Sequence, residues 1–137
     1  MRIRFALICT LGILGVALAL PATTLGAESG YKYKVVYNYC DGKTVHFKIK
    51  NIAEGSTPAN KLTIESWAQK RVNGSWRFVH TWDRAKYKFT PDGDRHWLIS
   101  WRQYNGVPGS KFRILTRLRV WDDSDLLASV NVSSVSC

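Results

Sequence analysis

The sequence predicts an all-β domain, and within that class an immunoglobulin-like antiparallel β-sandwich of seven or eight strands; a small closed β-barrel is the alternative. Three observations support the prediction. Short segments in which apolar and polar residues alternate recur along the chain, turn-forming residues separate them, and no segment shows the helical periodicity of an amphipathic helix. Since such folds carry many unrelated activities, function has to be argued from particular residues.

The first two strands are predicted at residues 31–39 and 45–50, with Asp41-Gly42 as the turn that pairs them. Basic side chains alternate with the apolar residues of the second strand and are predicted to face solvent: His46, Lys48 and Lys50. One face of the first strand is predicted to carry Tyr31, Tyr33, Val35, Tyr37 and Tyr39, and the opposite face Lys32 and Lys34. The lysines of both strands are therefore expected to share one surface of the sheet.

The third and fourth strands, residues 62–72 and 75–82, flank Asn73-Gly74. This dipeptide is a strong hairpin signal, because both central residues of a type I′ turn need positive φ. Trp67 falls on the polar positions of the third strand, so its indole is a candidate for ligand stacking or for packing under a loop. The predicted core positions of the fourth strand are Trp76, Phe78 and Trp82.

The remaining strands are predicted at residues 83–90, 97–102, 112–121 and 126–137. Proline, glycine, asparagine and aspartate form the turns that separate them. In the second of these strands, alternation predicts that three residues belong to the core: Trp97, Ile99 and Trp101. In the third, alternation places its basic residues and one tryptophan on a single face: Arg113, Arg117, Arg119 and Trp121.

The first 27 residues have the three parts of a secretory signal peptide. Two arginines precede an apolar run at residues 5–20, which is shorter than the roughly 20 residues of a transmembrane helix; a proline and small residues follow. Cleavage is predicted after Ala27, with a site after Ala19 as the second choice and an uncleaved anchor as the alternative. The sequence therefore predicts a secreted, extracellular protein whose single domain comprises residues 28–137.

Two cysteines remain after such cleavage, Cys40 and Cys137, because Cys9 lies in the apolar run. An even number of cysteines in an exported domain predicts a disulfide between them. On a chain-entropy argument, closing a loop of about 100 residues stabilises the domain by roughly 4–5 kcal/mol. Free thiols and an intermolecular bridge are the alternatives. We expect a monomer.

The chain is strongly basic, with 20 lysine and arginine residues against 10 aspartate and glutamate residues. Cleavage after Ala27 would remove two arginines and leave 18 basic against 10 acidic residues, a net charge of +8. Such a charge attracts teichoic acids, acidic polysaccharides and phospholipid headgroups. The expected partner is an anionic polymer or a glycan, with a membrane surface as a further option and nucleic acid not favoured. A charge that serves solubility alone is the alternative interpretation.

No set of residues with catalytic or metal-binding spacing is evident in the sequence. The three histidines fall on different predicted strands, and the acidic turn at residues 122–125 lacks the glycine and the closing glutamate of a calcium loop. His80 is expected to be half-buried. Glu65 is the one carboxylate in the centre of a predicted strand, and it has no partner apparent in the sequence. We therefore predict a protein that is not an enzyme and that needs no cofactor and no metal.

The patterned cations and the two tryptophans on polar positions are the candidate ligand-binding residues. Cations attract an anion, and a neighbouring indole can stack on a ring. The leading hypothesis is a non-catalytic binding module that recognises an anionic or carbohydrate ligand at the cell envelope or outside the cell. The alternatives are a secreted antimicrobial or toxin-like effector, a small secreted hydrolase and, for the cations, a merely solvated surface. The candidate residues are Lys48, Lys50, Arg113, Arg117, Arg119, Trp121 and Trp67.

Overall fold

Nine β-strands lie in the part of the chain that the computed structural model describes, which comprises residues 23–24, 30–53, 59–88 and 96–137. The strands are β1 (Thr23–Thr24), β2 (Tyr31–Asp41), β3 (Thr44–Ala53), β4 (Lys61–Val72), β5 (Ser75–Thr81), β6 (Ala85–Lys88), β7 (His96–Asn105), β8 (Phe112–Asp122) and β9 (Asp125–Ser133). Within these ranges no helix is long and apolar enough to cross a membrane. The apolar run of the predicted signal peptide and its cleavage site after Ala27 lie outside the described residues.

The strands form two antiparallel sheets that pack as a sandwich. Sheet A has the order β1-β2-β3-β7, and sheet B has the order β5-β4-β8-β9, with β6 pairing with β4 beyond the end of β5. This order is that of an immunoglobulin-like sandwich. In it, β5 pairs with β4 at the edge of sheet B, which is the position of the extra strand that variable-type immunoglobulin domains add to the corresponding sheet. The predicted fold is confirmed, and the described strands do not close into a barrel. All eight predicted strands are present, and the two-residue β1 is the ninth.

The centre of the core comes from strands whose alternation runs without interruption. Each of these large side chains contributes about 1.5–3 kcal/mol when it is fully removed from water. Buried residues of the inner faces include Val45, Phe47 and Ile49 of β3, Leu62 and Ile64 of β4, and Phe112, Ile114, Leu118 and Val120 of β8. The phenol of Tyr31 is buried with them, and desolvation, followed by the influence of Tyr87, raises the pKa of Tyr31 far above its usual value.

A β-bulge in β2 makes part of the predicted face of the first strand wrong. The register between β2 and β3 skips Val36, so the residues after it change faces. Tyr31 and Tyr33 share a face, as predicted, and that face meets the core, but Tyr37 and Tyr39 lie on the opposite face and pair with outward-facing residues of β3. One inserted residue shifts the period of two by one position, and the alternation of residue types does not reveal it.

A second bulge changes the predicted burial in β5. The register between β4 and β5 skips Val79. Trp76 and Phe78 therefore lie on the outer face of sheet B, where Phe78 is 62% exposed, and their prediction as core residues is wrong. Trp82 packs against the core as predicted. His80 is exposed rather than half-buried, although its ring centroid lies 4.7 Å from that of Trp82.

In β7 the predicted alternation is present, but the predicted face is wrong. Ser100 is buried, whereas Ile99 is 56% and Trp101 50% exposed. The partners of these two residues in β3 are outward-facing lysines, which places them on the outer face of sheet A. A pattern establishes which residues of a strand share a face, and the pairing with the next strand decides whether that face meets the core. The side chain of Trp97 lies outside the described part of the chain.

The turn between β4 and β5 has the predicted geometry. Asn73 has a φ of 49° and Gly74 a φ of 80°, so both central residues occupy the left-handed region that a type I′ turn requires.

The predicted acidic turn before β9 is held by Asn60. Its Nδ2 donates to Oδ1 of Asp123 at 2.8 Å, and its Oδ1 accepts from the backbone N of Asp123 at 2.9 Å.

A disulfide joins Cys40, near the end of β2, to Cys137, with the two Cα atoms 5.7 Å apart. Two backbone hydrogen bonds between Phe112 and Cys137, of 2.8 and 3.1 Å, continue the pairing of sheet B beyond the end of β9. The predicted pairing of the cysteines is confirmed, and the bridge links the two sheets. A disulfide is consistent with an oxidising, extracellular environment.

Candidate functional site

The seven candidate residues are divided between the two outer faces of the sandwich. Lys48 and Lys50 lie on the outer face of sheet A, and the other five lie together on the outer face of sheet B. Packed sheets are about 10 Å apart, so one small ligand cannot contact both sets. The sheet A face comprises Lys34, Tyr37, Tyr39, His46, Lys48, Lys50, Ile99 and Trp101. The sheet B face comprises Lys61, Glu65, Trp67, Gln69, Arg71, Trp76, Phe78, Arg113, Arg117, Arg119 and Trp121.

On the sheet B face, the indole of Trp76 lies close to two guanidinium groups. Cζ of Arg113 is 4.2 Å and Cζ of Arg71 is 5.7 Å from the centroid of its ring. Arg113 also donates from Nε to Oε1 of Gln69 at 2.8 Å. Desolvation, and after it the charge of Arg71, lower the pKa of Arg113 below its usual value. Arginine remains protonated at neutral pH, so two positive charges share one indole.

Cations also contact the other two tryptophans of the sheet B face. Cζ of Arg117 is 5.3 Å from the ring centroid of Trp67, whose other neighbour is the ring of Phe78 at 5.6 Å. Nζ of Lys61 is 5.0 Å from the ring centroid of Trp121. Each cation–π contact at such a surface site is worth about 0.5–1 kcal/mol. The arginines of β8 and Trp121 share the outer face of sheet B, as predicted, and internal contacts already occupy Arg117, Trp67 and Trp121.

Polar contacts complete the sheet B face. Nη1 of Arg119 is 3.5 Å from Oε1 of Glu65, and Nε of Arg117 donates to Oδ1 of Asn131 at 3.2 Å. Nε1 of Trp121 donates to a threonine hydroxyl of β4 at 3.0 Å. Sequence reasoning did not find a partner for Glu65, because the pairing of β4 with β8 brings it to Arg119 from a distant part of the chain. The cations and tryptophans of this face mainly bind one another.

Three rings, those of Tyr37 and Tyr39 on β2 and of His46 on β3, lie together on the sheet A face. Tyr39 stacks on His46, with ring centroids 4.7 Å apart and an interplanar angle of 10°, and the Tyr37 ring lies 5.6 Å from that of Tyr39. Nζ of Lys48 is 5.5 Å from the Tyr37 centroid. Tyr39 remains 48% exposed. This half of the face is a set of stacked rings with a cation beside it and with open ring surface.

Trp101 forms the other half of the sheet A face and borders a cleft at the edge of the sheet. The cleft has a volume of about 450 Å³ and is lined by Trp82, Trp101, Arg102, Gln103 and Asn105. Cζ of Arg102 lies 5.8 Å from the Trp82 centroid, and its Nη1 donates to the carbonyl of Trp101 at 2.9 Å. Aromatic, amide and guanidinium groups thus line one concave site beside a half-exposed indole.

Strand pairing sets the order of groups across the sheet A face. Lys48 of β3 pairs with Tyr37 of β2 on one side and with Trp101 of β7 on the other. Lys50 pairs in the same way with Lys34 and Ile99. The predicted shared surface of lysines from β2 and β3 is therefore present, and aromatic and aliphatic side chains adjoin it.

Sequence reasoning missed Trp101, Ile99 and Tyr39 as members of an outer face. In β7 the more polar residues, Ser100 and Arg102, occupy the inner positions, so the pattern favoured the wrong face. A charged residue that points inward on an edge strand discourages pairing with another chain, and Arg102 fits that description. The pairing of β7 with the lysines of β3 would have been the informative signal, and no local pattern supplies it.

Within the residues that the structure describes, no three histidine, cysteine, aspartate or glutamate side chains are grouped so that they could hold a metal ion. Apart from the carboxylate of Glu65, which lies 3.5 Å from Arg119, the groups available on the two faces are ammonium, guanidinium, amide, imidazole and aromatic groups. Such groups recognise anions by charge and rings by stacking.

Comparisons with known proteins give weak structural likenesses. No family model matches the chain, and no curated protein sequence matches it. A β-glucuronidase structure from Bacteroides uniformis matches 76% of this chain over 12% of its own, with 13% identity and a TM-score of 0.41. A β-glucosidase structure from Kluyveromyces marxianus matches 80% of this chain over 14% of its own, with 8% identity and a TM-score of 0.37.

A third solved structure, B. uniformis β-glucuronidase 2 covalently bound to cyclophellitol-6-carboxylate aziridine, matches 76% of this chain over 12% of its own. Its identity is 15% and its TM-score 0.37. This chain therefore spans 12–14% of the length of these solved chains. We transfer no property of those enzymes to it.

Proposed function

We propose that the protein is a secreted, monomeric, non-catalytic binding module whose sheet A face binds a glycan, with a preference for an anionic one. The observation that carries the proposal is the half-exposed indole of Trp101 on a sheet face whose neighbouring strand presents Lys48 and Lys50. Exposed apolar groups that are clustered rather than scattered mark interaction sites. Ile99, two residues from Trp101 on β7, extends the apolar surface, and Tyr39 is exposed on the other side of β3.

The groups of the sheet A face match the chemistry of an acidic sugar chain. An indole offers a flat apolar surface to a sugar ring, and the amides of Gln103 and Asn105 in the adjoining cleft can hydrogen-bond to hydroxyl groups. Residues two apart on a strand are about 7 Å apart. Lys48 and Lys50 can therefore meet successive carboxylate or sulfate groups of an extended polymer.

The sheet A face suits an external ligand better than the sheet B face. On the sheet B face a ligand would have to replace contacts that the protein already makes, among them those of Arg117 with Trp67 and of Arg119 with Glu65. On the sheet A face Trp101 and Tyr39 present open ring surface. Of the seven residues predicted from the sequence, the proposal keeps Lys48 and Lys50 in the site. It assigns Trp67, Trp121, Arg113, Arg117 and Arg119 to the stability of sheet B.

A glycan array and a titration at several salt concentrations test the proposal on the mature protein. Trp101→Ala should weaken binding to acidic and neutral glycans about tenfold or more, because stacking on an aromatic side chain is worth about 1–3 kcal/mol. A Lys48→Gln, Lys50→Gln variant should weaken binding to acidic glycans alone and reduce the dependence of affinity on salt, because fewer counterions are released.

An Arg117→Gln, Arg119→Gln variant is the matched control, since it removes the same charge from the opposite face. Its affinities should stay within about twofold of those of the wild type. Equal losses in the two double variants would show that only diffuse charge is sensed, and unchanged binding by Trp101→Ala would place the site elsewhere. Release of dye from anionic vesicles would instead support the secreted effector, and turnover of any glycan would contradict the non-catalytic assignment.

A further inference from the structure

Three turns meet at the end of the sandwich that carries the disulfide. They are the turn between β2 and β3, the turn between β4 and β5, and the segment that precedes β8. Between them lies a pocket of about 370 Å³, here called the turn pocket, which is lined by Lys43, Arg71, Gly74, Gly109, Ser110 and Lys111. Three of these six residues are cations and none of the six is acidic.

Hydrogen bonds to backbone groups tie together the segments that carry the cations of the turn pocket. Nζ of Lys43 donates to the carbonyl of Ser110 at 3.0 Å, and the carbonyl of Lys43 accepts from the backbone N of Gly106 at 3.0 Å. The backbone N of Arg71 donates to the carbonyl of Lys111 at 2.9 Å. The three cations therefore belong to segments that are tied to one another, so the backbone around the pocket needs little ordering when a ligand binds.

Two of the residues that line the turn pocket are glycines, which place no side chain in it. Gly74 and Gly109 have φ values of 80° and 89°, and a Cβ placed on either would have no heavy atom within 4 Å. The glycines are needed for the backbone conformation rather than for a close approach. They leave open space beside the charged groups, and the pocket volume is enough for a small oxyanion with some of its water.

Among the residues that the structure describes, no carboxylate forms an ion pair with a cation of the turn pocket. In the part of the chain that the structure describes, the ion pair present on the sheet B face is that of Arg119 with Glu65, and none involves Lys43, Arg71 or Lys111. Arg71 moreover shares the indole of Trp76 with Arg113, so the pocket adjoins a second guanidinium group. Like charges gathered in this way repel one another, and an anion of charge −2 bound among them would remove the repulsion.

We propose that the turn pocket binds a sulfate or phosphate group, with Lys43, Arg71 and Lys111 as its cationic ligands. Tetrahedral oxyanions present three or more oxygens to converging donors, and a guanidinium fork beside ammonium groups suits them better than it suits a single carboxylate. This site goes beyond the proposed function, because none of its residues belongs to the sheet A face. The group could come from a free ion or from a sulfated or phosphorylated polymer, which share the chemistry.

Amide NMR of the mature protein titrated with inorganic phosphate and with sodium sulfate, at constant ionic strength, tests the site directly. Saturable shifts are expected at Gly74 and at residues 109–111. An Arg71→Gln, Lys111→Gln variant should raise the dissociation constant about tenfold or more, since hydrogen bonds to charged groups are worth about 1.5–3 kcal/mol. A Lys86→Gln, Lys88→Gln variant removes the same charge from exposed lysines of β6 and should change the constant less than about twofold.

A second titration with a sulfated oligosaccharide and with polyphosphate separates the two sources of the group. Binding of a polymer that depends on Arg71 and Lys111, without binding of the free ions, would support the site and assign it to polymers. Equal losses in the two double variants, or the lack of a saturable shift with every one of the four probes, would overturn it. Because Trp101→Ala should leave the phosphate shifts unchanged, and Arg71→Gln should leave binding of neutral glycans unchanged, failure of one proposal is distinguishable from failure of the other.

Discussion

The two outer faces of the sandwich contain similar residue types in different states. On the sheet B face, each of three tryptophans has a cationic atom within 5.3 Å of its ring centroid: Trp67, Trp76 and Trp121. On the sheet A face, Trp101 is 50% exposed and lies on the strand next to Lys48. The tryptophans of the sheet B face are internally paired, although Phe78 of that face is 62% exposed, and the sheet A face leaves the indole of Trp101 open to solvent.

This difference teaches that a composition of tryptophan and cations does not identify a binding surface. A guanidinium group that lies close over an indole and is also hydrogen-bonded, as Arg113 is to Trp76 and Gln69, has lost part of its hydration and has two partners, so a ligand has less to offer it. An indole with an open face gains from a ligand the apolar contact that it lacks in the free protein. Whether the two groups contact each other is therefore more informative than whether both are present.

The largest expected effect concerns the link between the two faces. Cys137→Ser should lower the free energy of unfolding by about 4–5 kcal/mol, because the disulfide closes a loop between residues separated by 97 positions. Denaturant unfolding followed by tryptophan fluorescence and by amide NMR signals of each sheet measures the loss. Both sheets should unfold at one denaturant concentration. If sheet A and sheet B unfold at different denaturant concentrations, the two faces do not belong to one cooperative unit. The effects of substitutions on the two faces could then not be compared through a single free energy of unfolding.

A smaller effect is expected at the turn that places Trp76 on the sheet B face. Replacing Asn73 and Gly74 by alanine should destabilise the protein by about 2 kcal/mol, since residues with a Cβ would be forced to φ values of 49° and 80°. Asn73→Gly is the control and should stay close to the wild type, because glycine adopts positive φ readily. Urea unfolding measures both. Loss of protection in β5 with unchanged protection in β3, seen by amide exchange, would show that the effect is confined to sheet B.

Paired tryptophan substitutions test the comparison most directly. Trp67→Ala should cost about 1–2 kcal/mol of stability, because it removes a half-buried indole and its contacts with Arg117 and Phe78. Trp101→Ala should change stability by no more than about 0.5 kcal/mol, as exposed surface substitutions do. Chemical unfolding measures both variants. The comparison fails if Trp101→Ala is the more destabilising of the two.

The sequence predicted the fold more completely than it predicted the faces. The strands, the Asn73-Gly74 turn and the disulfide each rest on a local signal or on a count of cysteines, and these were confirmed. Errors arose around Val36 and Val79, where one extra residue puts the residues before it and the residues after it on opposite faces of an otherwise regular alternation. They also arose in β7, where alternation was correct but the inner positions are the polar ones. Bulges and pairing depend on contacts between distant segments, which a single sequence does not display.

The same limit applies to the candidate sites. Alternation placed Lys48 and Lys50 on an outer surface, and it placed the arginines of β8 on one face. It could not show that Arg117 contacts Trp67, because these residues come from different strands whose pairing was unknown. The cations of the turn pocket come from three separate segments of the chain, so no pattern in the sequence groups them.

The smallest expected changes in the free energy of unfolding have opposite signs for a substitution on the sheet B face and one on the sheet A face. Glu65→Gln should destabilise the protein by about 0.5 kcal/mol, because it removes the partner of Arg119 from a partly exposed ion pair. Lys34→Gln should stabilise it by a few tenths of a kcal/mol, since Lys34 lies directly across from Lys50, and like charges in opposed positions are unfavourable. Thermal unfolding at low salt resolves differences of this size when the variants are measured together with the wild type.

Both differences should shrink as salt is added, because screening acts on attraction and repulsion alike at the protein surface. If Lys34→Gln is destabilising at low salt, Lys34 has a favourable role on the sheet A face that outweighs the repulsion from Lys50. Charge would then not distinguish the two faces, and only the open indole of Trp101 would. If Lys34→Gln is stabilising and Glu65→Gln is destabilising, the faces differ in what an anion would do. An anion bound on the sheet A face would relieve the repulsion between Lys34 and Lys50, whereas an anion on the sheet B face would have to break the ion pair between Arg119 and Glu65.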